Sequence, residues 1–107
     1  MKYEVIASSL FERRLAKAIE FLQSSPEAER SVPKLFQELS DKFEVLGNYP
    51  RVFSIDEEIS RRSKREVRRA AVSHFLLFYE IDDDAMEVRL LTLRHQKESP
   101  DIYYLVE

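Results

Sequence analysis

The chain has no cysteine and no tryptophan, one glycine and two histidines in 107 residues. Without cysteine there are no disulfides, thiolate metal centres or thiol nucleophile. That is compatible with a reducing cytoplasm, where the protein is expected to reside. A single glycine excludes any glycine-rich phosphate loop. His74 and His95 stand far apart with no ligand-spaced neighbours, so the expectation is no bound metal and no cofactor. No apolar run reaches membrane-spanning length. The opening MKYEVIASSLFERR lacks the long apolar segment of a signal peptide. A soluble protein with no membrane contact is expected.

Hydrophobic residues make up 44% of the chain, enough for one core at this length. One domain over residues 1–107 follows. The net charge is −3, yet RRSKREVRR, residues 61–69, holds six positive charges and one negative. The flanking segments are acidic, which argues against general coating of nucleic acid. A local site for an anion or an acidic partner stays open.

The hydrophobic pattern orders the elements. Lys2–Ala7 reads as a short strand. Ser9-Leu10-Phe11-Glu12 has the form of a capping box and opens a helix over about 9–24, with Phe11, Leu15, Ala18 and Leu22 on one stripe. Ser25-Pro26 starts a second helix, carrying Val32, Leu35, Phe36, Leu39, Phe43 and Leu46. Pro33 predicts a kink there, or a start delayed to near Ser31. Gly47 suits a left-handed C-cap. Residues 48–64 read as loop with at most one helical turn.

Val67–Val72 is a weak strand, and His74–Ile81, HFLLFYEI, reads as a central strand apolar on both faces. Asp82-Asp83-Asp84-Ala85 turns into Met86–Leu93. The expected class is α+β: β-α-α-β-β-β, an antiparallel helical hairpin on one face of a small, mainly antiparallel sheet.

The basic run has three readings: a solvated loop, an anion site built on Arg62, Arg65, Arg68 or Arg69, or a contact for an acidic protein segment. Strand alternation sends Arg65, Val67 and Arg69 to one face and Glu66, Arg68 and Ala70 to the other. Asp82–Asp84 are three acids in a turn, expected to be solvated. Arg94-His95 ends the last strand. A histidine with an adjacent arginine and Tyr103 or Tyr104 would make a metal-free ribonuclease set.

The ordered combination resembles the ParE/RelE toxin superfamily of bacterial toxin–antitoxin pairs. SPEAE opens the second helix and LGNYP closes it. VRRAAVSHFLLFYEIDDD, residues 67–84, is similar to the family's arginine-containing strand, turn and apolar strand. VRLLTLRHQ, residues 88–96, is similar to the strand leading into a histidine in ParE-type members. The resemblance implies a plasmid-stabilisation or stress toxin held in a hetero-oligomer by a cognate antitoxin. Two targets occur: DNA gyrase for ParE-like members, and messenger RNA cleaved in the ribosome for RelE-like members. Arg68 and His95 match the ParE-side arginine and histidine. Phe75-Leu76 stands where the ribonuclease members carry a basic residue, and the chain is acidic where they are basic. The ParE-like reading therefore comes first. The RelE-like endoribonuclease, using Arg94, His95 and Tyr103, is second. An attenuated binding module is third, since Gln96-Lys97-Glu98 departs from the ParE continuation. Arg65, Arg68 and Arg69 are the expected target or anion contacts, and Phe75, Leu77 and Tyr79 the expected partner-binding residues.

Overall fold

A computed structural model describes residues 2–97. The order is β1 (Glu4–Ala7), α1 (Ser9–Gln23), α2 (Ala28–Asn48), α3 (Glu57–Ser63), β2 (Arg68–Val72), β3 (Phe75–Asp82) and β4 (Glu87–His95). The four strands form one sheet in the order β1-β4-β3-β2. β1 runs parallel to β4, and the other pairs are antiparallel. This is the expected α+β fold with one additional short helix.

The apolar run of β3 is buried on both faces. Phe75, Leu77 and Tyr79 pack with Leu35, Leu39 and Leu46 of α2 and Phe11 and Ala18 of α1. Phe78 and Leu76 turn the other way, onto Ile59 of α3, Val67 and Leu91. Burying a leucine such as Leu77, which is fully covered, contributes about 2 kcal/mol. The β3–β4 register shifts between Phe78 and Tyr79: Phe78 pairs with Thr92 and Tyr79 with Leu90. Leu91 is the extra residue of this bulge.

Local signals differ from expectation at four places. The cap of α1 is Ser8, not Ser9: Ser8 is extended, and its Oγ accepts from the Phe11 N–H at 3.0 Å. Ser8 also bonds to the Leu90 and Leu91 carbonyls of β4, so sheet pairing chose between two adjacent serines. α2 begins at Ala28 and runs through Pro33. Proline there lies in the second turn and removes only its own bond to the Glu29 carbonyl.

Gly47 is inside α2 and has no left-handed conformation. Its carbonyl accepts from the Tyr3 N–H at 2.8 Å. An added Cβ would lie 3.3 Å from the Tyr3 carbonyl oxygen and 3.2 Å from Lys2 Cε. Close approach of β1, not a turn, is what demands glycine here.

Residues 57–63, within the segment read as loop with one helical turn, form a seven-residue helix. Asp56 caps it by accepting from the Ile59 N–H, acids fill the first turn, and Arg61 and Arg62 fill the last. This charge order matches the helix dipole. With so little glycine, tight reversals fall on other residues: Lys64, Ser73 and Met86 have φ of 57°, 56° and 55°. A non-glycine residue there costs roughly 1 kcal/mol or more. Lys64→Gly, at the exposed end of α3, is expected to raise stability by about 0.5–1 kcal/mol in a urea titration.

Candidate functional site

The basic run is divided by the fold. Arg61 and Arg62 lie on α3, where Arg62 pairs with Glu58 at 3.1 Å. Arg65 meets Glu80 at 3.3 Å. Arg68 and Arg69 point to opposite faces of β2, as strand alternation requires. Arg69 is half-exposed and sits 3.6 Å from Asp56. Arg68 is turned inward: Nη1 donates to the carbonyls of Phe53 at 2.7 Å and Arg51 at 3.2 Å, and Nε to Glu66 at 3.3 Å.

Its cross-strand partner is Tyr79, whose buried hydroxyl donates to the Pro50 carbonyl at 2.8 Å. Two adjacent side chains thus hold three carbonyls of one loop. Arg51 extends this clamp to the β3–β4 turn by a two-bond fork onto Asp83, which also accepts from Tyr3 at 2.6 Å. Those bonds, from Arg51 first and Tyr3 second, hold the Asp83 carboxyl below its ordinary range. Asp82 is lowered by the Ala85 N–H and by Arg89. Two of the three turn acids are therefore engaged in the fold instead of simply solvated. Among the described residues no group of acids and histidines is disposed to hold a metal.

At the other end of the sheet, Arg94 and His95 separate. Arg94 is buried with its guanidinium 5.2 Å from the Phe78 ring, a cation–π contact on the α3 side. His95 lies on the hairpin side, edge-to-face with Phe75 at 5.4 Å and Phe21 at 6.1 Å, and stacked on His74 at 6.4 Å. Its Nδ1 accepts from the Lys97 N–H at 3.1 Å, which assigns the proton of the neutral ring to Nε2.

A cleft of about 450 Å³ opens here between α1 and the end of β4, lined by Arg14, Lys17, Ala18, Phe21, Phe75, Leu93, Arg94, His95 and Lys97. Arg14 Nε donates to the Leu93 carbonyl at 3.0 Å. Arg14, Lys17, Ala18 and Phe21 are spaced i, i+3, i+4, i+7, so one helix face supplies them. That spacing is visible in the sequence beside the core stripe, but its two cations are too sparse to stand out against the dense basic run.

The expected sites fare differently. Arg65 and Arg69 are accessible but ion-paired, and Arg68 is a loop clamp. His95 and Arg94 both line the cleft, but the Arg94 guanidinium turns away from it to lie over Phe78. Tyr103 lies outside the described residues. Phe75, Leu77 and Tyr79 are at most 5% exposed: all three are packed in the core under the hairpin, and Phe75 also reaches the floor of the cleft. The β3 run is apolar because it is buried twice over. Among the described residues the exposed large apolar side chains are Ile6, Phe21, Phe36, Tyr49 and Val52. No described helix is long and apolar enough to cross a membrane.

Comparison with known proteins agrees with this architecture. A chain of the toxin–antitoxin complex RelBE2 from Mycobacterium tuberculosis has a similar fold, with a TM-score of 0.59 and 22% identity over 89% of this chain and 99% of that one. At that identity the likeness speaks for the fold alone. No curated protein sequence matches. The family model for the ParE toxin of the type II toxin–antitoxin system, parDE, matches residues 5–100. With almost the whole described chain matched, the protein belongs to the ParE toxin family of type II toxin–antitoxin systems.

Proposed function

We propose that this toxin inhibits DNA gyrase and is held inactive by a cognate antitoxin. The divergence of Arg94 and His95 supports gyrase over ribosome-bound message. A metal-free ribonuclease needs an acid–base group and a phosphate clamp on one reacting atom. Here the Arg94 guanidinium lies over Phe78 on one face of the sheet while the His95 ring lies against Phe75 on the other. The basic run cannot substitute: Arg68 pairs with Tyr79, four residues along β3 from the Phe75–His95 pair, about 13 Å at strand rise. Inhibition by binding asks for no such convergence.

The antitoxin has a suitable surface in the groove between β1 and α2. Tyr3, Val5, Leu39 and Phe43 line it, and exposed Phe36 borders it. β1 is an edge strand, so its outer backbone groups can pair with an added strand.

Purified protein is expected to stop gyrase supercoiling of relaxed plasmid, with activity restored by the antitoxin. Full supercoiling at saturating protein removes the gyrase reading. New 5′ ends on translated messages, mapped by primer extension, would move the function to the ribonuclease. Absence of growth arrest would move it to a non-toxic binding module.

A further inference from the structure

We infer that the cleft between α1 and the end of β4 docks an acidic peptide segment carrying a leucine-sized anchor. The chain has more acids than bases, yet among the described residues no carboxylate lines this cleft. Lys17 and Lys97 stand exposed on its rim, and no carboxylate of the described residues pairs with either. Arg14 lines the cleft from the turn before Lys17, bonded to the Leu93 carbonyl. The floor is apolar: Ala18, Phe75 and Leu93 are buried. Phe21, 63% exposed, is a large apolar side chain left in water among positive charges. A side chain seated on that floor would cover Phe21, and carboxylates flanking it would meet the rim cations.

Two features favour a peptide over a nucleic-acid strand. The net charge of −3 opposes a polyanion, which needs broad positive potential. One face of the His95 ring is already taken by His74, so the imidazole is poorly placed to stack on a base. Beyond the stacked histidines, a neighbouring cleft carries Arg30 and Lys34 against one acid, Glu27. The positive surface therefore continues for an extended acidic segment.

This inference rests on the reading of the protein as a toxin held by an antitoxin, the partner such a segment would come from. Its test does not need that partner. A fluorescein-labelled peptide of Asp, Glu and Leu, titrated with the full chain and followed by anisotropy, is expected to bind and to weaken as salt rises. Lys17→Glu should lower affinity about tenfold, and Phe21→Ser by a comparable factor. Arg61→Glu makes the same charge change on α3 and should leave affinity unchanged. Both cleft positions are exposed, so thermal melts of the variants should match the parent. The inference is overturned if the peptide does not bind, if its Asn/Gln/Leu counterpart binds equally, if Lys17→Glu and Arg61→Glu behave alike, or if a single-stranded oligonucleotide binds more tightly. Failure of the peptide with gyrase inhibition intact would remove this site and leave the toxin reading standing.

Discussion

Between pH 10 and pH 12 the folded protein should lose on the order of 3 kcal/mol of stability through one buried phenol, Tyr79. Burial pushes the Tyr79 hydroxyl from its ordinary 10.0 up to about 12, against a smaller opposing pull from the Arg68 guanidinium. The unfolded chain gives up this proton near pH 10, while the folded chain keeps it to about pH 12. Across that window the unfolded state binds fewer protons, so stability is complete below pH 10 and falls as pH rises. Urea titrations over this range should show the fall in the parent and a much shallower one in Tyr79→Phe. At neutral pH the variant should cost only about 1 kcal/mol, for the bond to the Pro50 carbonyl. Tyr3 is shifted in the same direction by its bond to Asp83, but it is present in both proteins and cancels in the comparison. Parallel curves would show that Tyr79 is not the titrating group.

Arg68→Ala is expected to lower stability by about 2–3 kcal/mol, because a mostly buried guanidinium bonded to two carbonyls is removed and those carbonyls lose their donor. Arg68→Lys should recover only part of this, since a single ammonium must replace both the Nη1 bonds to the Arg51 and Phe53 carbonyls and the separate Nε bond to Glu66. Arg69→Ala, one residue away, should stay within about 0.5 kcal/mol, as its pair with Asp56 is long and half-exposed. Denaturant titration of the three variants separates a loop clamp from a surface contact. If Arg68→Ala folds with parental stability and loses only gyrase inhibition, then Arg68 is a target contact and not a clamp.

The contrast between Arg68 and Arg69 shows where sequence reading reaches its limit. Alternation along β2 separates the two arginines before any coordinates are known. Which of them turns inward depends on the loop at residues 50–53, whose carbonyls arrive from a part of the chain with no periodic signal. The same limit explains Phe75, Leu77 and Tyr79. Their apolar character is plain in the sequence, but a run buried by the protein itself and a run awaiting a partner read alike. Ser8 against Ser9 was decided by bonds to β4, and Gly47 by the approach of Tyr3. The extent of α3 is not legible because it buries one apolar residue, Ile59, too few to set a period.

The sequence alone determined the α+β class, the helical hairpin, the apolar central strand and the toxin family, because periodicity and ordered motifs are local and repeat over many residues. Only the tertiary structure decided what the charges do. It tied Arg68 to a loop, parted Arg94 from His95 across the sheet, and assembled a positive cleft from Arg14, Lys17 and Lys97. Arg14 and Lys17 are far from Lys97 along the chain, and no one-dimensional pattern records that a helix face and a strand end will meet.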